Sequence, residues 1–222
     1  KPRVFTVPYE PYEGSARRII IPVTFNGSVK AKLLLDTGAP GTVIFSSLAY
    51  RLGALDTREG RLVTIAGGLG GQRAAMLVVL NSLCVDAACT EFVPATVVEQ
   101  ISDAFEGLVG MDFLGGYQID LDTRRHVLTL TENHRPDSPG GHDERWWRDT
   151  FAWFAREKQS WNRMHASLVT RVERLEAPPG LNLEQTRQLM DFAAAQTRQI
   201  ELLSNRLERH ASFNSVPREW RQ

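Results

Sequence analysis

The stretch Leu33-Leu34-Leu35-Asp36-Thr37-Gly38-Ala39-Pro40-Gly41-Thr42-Val43-Ile44 places an acid, a small hydroxyl and a glycine directly after three leucines. One reading is a strand that ends in a turn, because Asp, Thr and Gly each favour turns through local hydrogen bonding or backbone freedom. The other is a catalytic carboxylate. An aspartate at the end of a buried strand is expensive to ionise unless donors or a function compensate it. The Thr and Gly that follow permit a tight turn whose main-chain N–H groups can hold the carboxylate.

Working outward, strand signals dominate the first part of the chain. The runs RRIIIPVTF and VKAKLLLD flank Asn26-Gly27, a strong hairpin signal, and predict two antiparallel strands up to Asp36. SSLAYRLG reads as a short helix with Ser46 or Ser47 as N-cap and Gly53 as terminator. RLVTIA and RAAMLVVL read as paired strands around GGLGGQ, whose glycines permit close approach to a ligand backbone. CTEFVPATVVE and QIDLDTRRHVLTLT supply further strands, so residues from about 17 to 131 read as one small all-β domain of barrel or sandwich type.

After ENHRPDSPGGHDE the apolar spacing becomes helical. Trp147, Phe151, Phe154, Trp161, Leu168, Val172 and Leu175 form one stripe, interrupted by Lys158 and His165. EAPPGLN breaks it. Asn182 with Gln185 resembles a capping box, and Leu189, Ala193, Gln196, Ile200, Leu203 and Leu207 continue a second stripe, predicting a helical hairpin. Trp146 and Trp153 lie off the first stripe, so that helix is apolar over a wide arc. The expected organisation is an N-terminal arm at 1–16, the β domain at 17–135 and the helical hairpin at 136–222.

Composition excludes several classes. With 222 residues, 42% hydrophobic and 23% charged, the chain has material for a sizeable core. Basic and acidic residues are 26 each, which argues against a nucleic-acid partner. The five histidines show no metal spacing, and His126 and His165, on an expected strand and an expected helix, read as structural or surface residues. IAGGLGGQ runs into another strand rather than a helix, so a phosphate-cradle reading fails on context. No cofactor is implied.

Cys84 and Cys89 in SLCVDAACTEF are placed to face one another across a hairpin and form a disulfide, which implies an oxidising compartment such as a periplasm. The alternative is two thiols in a reducing cytosol. Lys1-Pro2-Arg3 does not resemble a signal peptide and the sequence lacks an initiator Met, so an upstream targeting or anchoring segment is expected to have been removed. The expected localisation is periplasmic or otherwise extracytoplasmic.

One carboxyl hydrolyses amides poorly, whereas two close together share a proton and divide the roles of base and acid. No second Asp-Thr-Gly occurs: Asp56-Thr57-Arg58, Asp122-Thr123-Arg124 and Asp149-Thr150-Phe151 all lack the glycine. A symmetric homodimer is the remaining route, since a two-fold axis sets the same residue of both chains face to face.

LLLDTGA, the Gly-rich loop about thirty residues on, and GLVGMDFL together resemble the retropepsin family, the single-domain dimeric aspartic peptidases of retroviruses and their bacterial relatives. The longer stretch VTFNGSVKAKLLLDTGAPGTVIFSSLAYRLG is similar to the bacterial, often envelope-associated branch. The resemblance implies a mainly β, closed-barrel acid-protease fold over residues 17 to 131, with an α-helical hairpin extension that it does not cover. It implies Asp36 as the catalytic acid, Thr37 as a brace between the two active-site loops, and Gly38 and Ala39 as loop support near substrate. Gly110, after Leu108-Val109, would pack beneath the loop where a side chain would collide. Ala66, Gly67, Gly68, Leu69, Gly70 and Gly71 would form a flap. Asp112 reads as a structural hydrogen-bonding acid. Pro40 and Gly41 depart from the Ser, Thr or acid that many members carry.

The expected activity is therefore an aspartic endopeptidase acting on protein or peptide substrates as a homodimer, with the hairpin as a regulatory element or the seat of a regulatory protein. The alternative is a catalytically silent retropepsin-like module for protein binding or assembly.

Overall fold

The computed structural model describes residues 2–56, 60–68, 71–133 and 138–222. It forms two compact units, Lys1–Glu144 and Arg145–Gln222.

The first unit begins with β1 (Val4–Pro8) and β2 (Glu10–Glu13), so the segment expected as an arm supplies two strands. β1 alternates exposed and buried residues and sends Phe5 and Val7 into the core, with a partner far away in sequence. Next come β3 (Ala16–Phe25) and β4 (Val29–Leu35), paired from Ile20↔Leu34 to Phe25↔Val29. At their turn both Asn26 and Gly27 take positive φ, 50° and 74°, which these two residue types tolerate best.

β5 (Thr42–Phe45) leads directly into α1 (Ser46–Arg51). Here the expected cap is corrected: Phe45 occupies the N-cap position without a side-chain bond, and Ser46 and Ser47 fall inside the helix, because the strand runs into its first turn with no intervening residue. Gly53 does follow the helix end, at φ 65°.

β6 (Leu62–Gly68) pairs with β7 (Gly71–Val85), which pairs in turn with β8 (Ala88–Val98). At the far end of that hairpin Cys84 and Cys89 are joined in a disulfide. β9 (Gly107–Val109) and α2 (Met111–Leu114) follow, then β10 (Tyr117–Asp122) and β11 (Val127–Glu132). His126 lies in the β10–β11 turn at φ 54°, against the Tyr9 ring, and not on a strand as expected.

The main sheet has the order β2-β3-β4-β9-β5-β8-β7-β6 and closes on itself through pairing of β3 with β7, Thr24↔Cys84 and Phe25↔Leu83. Closure converts a sheet into a barrel and removes exposed edges. A second sheet, β1-β11-β10, packs Phe5, Val7, Leu128 and Leu130 into the same core as Ile21, Leu33, Val78 and Val109. The unit is a mainly β, closed-barrel fold.

The second unit contains α3 (Glu144–Glu173) from its second residue on, and α4 (Leu183–Phe213). α4 starts with the expected capping box: Asn182 accepts from the Gln185 N–H, and the Gln185 side chain accepts from the Asn182 N–H. The helices run antiparallel, as Trp147 packs on His210, Lys158 pairs with Glu201 and Trp161 meets Phe192. Their seam buries Trp147, Phe151, Phe154 and Leu168 against a face that includes Ala193, Ile200, Leu203 and Leu207. Leu175, expected to extend the first stripe, lies beyond α3 and is exposed, because the helix ends before the prolines. Among the described residues no helix is long and apolar enough to cross a membrane.

Candidate active site

The topology determines where Asp36 stands. β4 and β5 are consecutive in the chain, yet they are not neighbours in the sheet: β9 lies between them, parallel to β4 and antiparallel to β5. The connection from Asp36 to Gly41 must therefore arch over the end of β9, where Gly110 sits. Asp36 N–H donates to the Val109 carbonyl at 3.0 Å, Met111 N–H donates to Ala39 O at 2.8 Å, and Asp112 N–H donates to Pro40 O at 3.1 Å. These bonds fasten both limbs of the arch to one short segment.

Within the arch, the Gly38 N–H donates to Asp36 Oδ1 at 2.8 Å. A Cβ on Gly38 would stand 3.2 Å from that same oxygen, so the side chain's absence lets the backbone close on the carboxylate. Asp36 is half-buried, while Thr37 and Gly38 are exposed. The carboxylate is thus held by its own turn with one oxygen committed to a backbone donor.

Gly110 occupies the tightest point beneath the arch. A Cβ there would lie 2.5 Å from Gly41 O and 2.7 Å from Ala39 O, distances that real carbon atoms do not tolerate. Packing supports the expectation that a side chain at this position would collide.

Asp112 turns out to be central to the arch. Its Oδ2 accepts from both the N–H and the hydroxyl of Thr42, each at 2.9 Å, and its Oδ1 accepts from the Phe113 N–H. Thr42, buried, was not singled out from the sequence; a polar residue opening the apolar run Thr-Val-Ile-Phe was the available signal. Burial pushes the Asp112 carboxyl up from the ordinary carboxylate range, opposed by the hydrogen bonds from Thr42 and Phe113.

This carboxyl therefore binds its proton more tightly folded than unfolded. Its contribution to stability is highest below the unfolded carboxyl's pKa of about 4 and falls as pH rises through the raised folded value. Urea unfolding of the wild type and Asp112→Ala across pH 3–8 should show this slope in the wild type alone. The variant should also be less stable by about 2–4 kcal/mol, because Thr42 loses a charged acceptor and its buried N–H is left unpaired.

Of the expected flap, Ala66, Gly67, Gly68 and Gly71 lie at the closed end of the β6–β7 ladder, where Gly68 pairs with Gly71. Leu69 and Gly70 fall outside the described residues. The disulfide is at the opposite end of β7, away from this ladder end. No cluster of metal-binding side chains occurs among the described residues.

The arch and its supporting glycine lie within a recognisable segment: residues 21–113 match the aspartyl protease family. The segment is similar to that family, and the match falls wholly within the β unit. Over 119 residues, 53% of the chain, it is 30% identical to Protein DNA-DAMAGE INDUCIBLE 1 of Arabidopsis thaliana, and it spans 28% of the length of that relative. A solved retropepsin-like aspartic protease from Rickettsia conorii is 20% identical at a TM-score of 0.44, covering 60% of this chain and 91% of that one. EIAV protease complexed with the inhibitor HBY-793 is 20% identical at a TM-score of 0.36, covering 47% and 91%.

Proposed function

We propose that this protein is an aspartic endopeptidase that cleaves protein or peptide substrates as a homodimer, using Asp36 from each subunit. The observation that carries this reading is the arch itself: a lone carboxylate, half-exposed, oriented by the Gly38 N–H and fastened through Val109, Met111 and Asp112. Such support suits a group that must keep its position while its protonation changes.

Two carboxylates in contact cannot both ionise readily, so the pair holds one proton between them. The ionised member takes a proton from water as the oxygen attacks the peptide carbonyl carbon. The protonated member donates to the carbonyl oxygen, giving a neutral tetrahedral diol without a covalent enzyme adduct. Collapse of the diol breaks the C–N bond as the protonated carboxyl gives its proton to the leaving nitrogen and the ionised one takes a proton from a diol hydroxyl, which restores the C=O and the one-proton pair. Thr37 braces one arch against the other, and the β6–β7 end closes over the peptide and excludes water.

The Cys84–Cys89 bridge supports an extracytoplasmic location, since such bonds persist in oxidising compartments. The test of the activity is loss of peptide cleavage in Asp36→Asn with the fold retained; wild-type turnover in that variant would remove the reading and favour a silent binding module.

A further inference from the structure

The bridge between Cys84 and Cys89 adds little to a hairpin that is already closed. The two residues are register partners on β7 and β8, one pair before Val85↔Ala88 and the turn in which Asp86 takes φ 53°. A bond that closes so short a ring removes little freedom from the unfolded chain. β7 is held independently by β3, through Thr24↔Cys84 and Phe25↔Leu83. The Asn26 side chain adds to this, as its Oδ1 accepts from Asn81 N–H at 2.9 Å and Ser82 N–H at 3.3 Å. Cys89 is exposed and Cys84 half-buried, so a thiolate reaches the bond from solvent, and exposed bridges are the ones that exchange.

What the bridge does hold is the segment that follows it on β8. His142, buried at 6% exposure, has its Nε2 3.3 Å from Thr90 Oγ1 and 3.1 Å from Glu91 O. That seat fixes the chain two residues ahead of α3. The Glu91 carbonyl belongs to the same peptide unit as the Phe92 N–H, and Phe92 stands at φ 53° in the middle of a strand. A bulky residue occupies that region only under constraint. Turning this peptide over would return Phe92 to ordinary strand geometry and aim the Glu91 carbonyl away from His142. Cys89 lies two residues before Glu91, and its bond to β7 fixes the backbone that would have to move.

We propose that Cys84–Cys89 is a thiol–disulfide exchange site for a dithiol, and that opening it releases the His142 seat by relaxing the Glu91–Phe92 peptide. One thiolate of the dithiol attacks the exposed Cys89 sulfur, the S–S bond breaks, and its electron pair leaves on the Cys84 sulfur. The second thiolate attacks the dithiol sulfur of that mixed disulfide and expels Cys89 as a thiolate. The dithiol is thereby oxidised to a disulfide, the two cysteines gain its two electrons, and the protons pass through water. No step involves Asp36, so this site stands or falls separately from the proposed peptidase activity.

Dithiothreitol titration of the full chain tests this, with thiols trapped by N-ethylmaleimide and counted by intact mass, and amide hydrogen exchange read by mass spectrometry. At about 1–5 mM dithiothreitol both cysteines should become alkylated while the far-ultraviolet circular dichroism is unchanged. Exchange in peptides spanning 88–93 and 138–144 should then speed up by about tenfold or more, while the β3–β4 hairpin at 20–34 keeps its protection. Cys84→Ser/Cys89→Ser should exchange like the reduced protein and not respond to dithiothreitol. His142→Ala should exchange rapidly at 138–144 even with the bridge closed. A bridge that opens only where the circular dichroism is lost overturns the exchange site. A bridge that opens without faster exchange at 138–144 overturns its coupling to His142.

Discussion

Asp36→Asn is expected to lower peptide cleavage by about 10³-fold or more while leaving the thermal unfolding midpoint unchanged. The amide keeps the size of the carboxyl and its oxygen can still accept from Gly38 N–H, so the arch retains its shape. What it loses is the ability to take and return a proton. In the proposed homodimer each subunit contributes the same group, so the exchange removes both members of the pair at once. Mixing the variant with wild type should then lower activity by more than simple dilution, as mixed dimers also lose their pair. Retained turnover in Asp36→Asn, measured on a peptide library, would show that the carboxylate serves only to hold its turn.

The second large effect is predicted at a residue that touches no substrate. Gly110→Ala places a carbon against the carbonyls of Gly41 and Ala39, at 2.5 and 2.7 Å. Neither carbonyl can retreat cheaply, because the arch is tied down on both sides: Ala39 O accepts from Met111 N–H, and Thr42 beyond Gly41 is bonded to Asp112. The expected result is a loss of about 3 kcal/mol or more in folding free energy, with the arch displaced and cleavage lost even at temperatures where the variant stays folded. Gly116→Ala is the matched control, since its Cβ would meet only Phe113 O at an ordinary 3.5 Å. Equal stability of the two variants in urea unfolding would contradict the packing described beneath the arch.

How much of this was legible beforehand depends on the distance over which each feature is decided. The Asn26-Gly27 turn, the β6–β7 and β10–β11 pairs and the Asn182 capping box are local, and the residues that form them announce them. Asp36 was legible because an acid after three leucines demands an explanation within a few residues. β9 was not recognisable as a strand: Gly-Leu-Val is too short to show alternation, and its place between β4 and β5 is decided by pairing some seventy residues away. The same holds for β1, whose partner β11 lies at the other end of the domain. Asp112 reads as a hydrogen-bonding acid from the sequence, but its partner Thr42 does not show itself there, since their bond spans 70 positions. Gly110 was found through its resemblance to a family motif, and the geometry supplies the cause, two carbonyls that leave no room for a methyl group.

A single chain supplies half of the proposed catalytic pair, so the mechanism needs two molecules. A crystal structure of the associated wild-type protein, solved near the pH of its activity, measures it directly through the distance between the two Asp36 carboxylates. The proposed mechanism predicts oxygen atoms within hydrogen-bonding distance, about 2.5–3.2 Å, with the two arches facing each other across a two-fold axis. An active protein whose Asp36 carboxylates stand far apart, each buried against its own subunit, would contradict it.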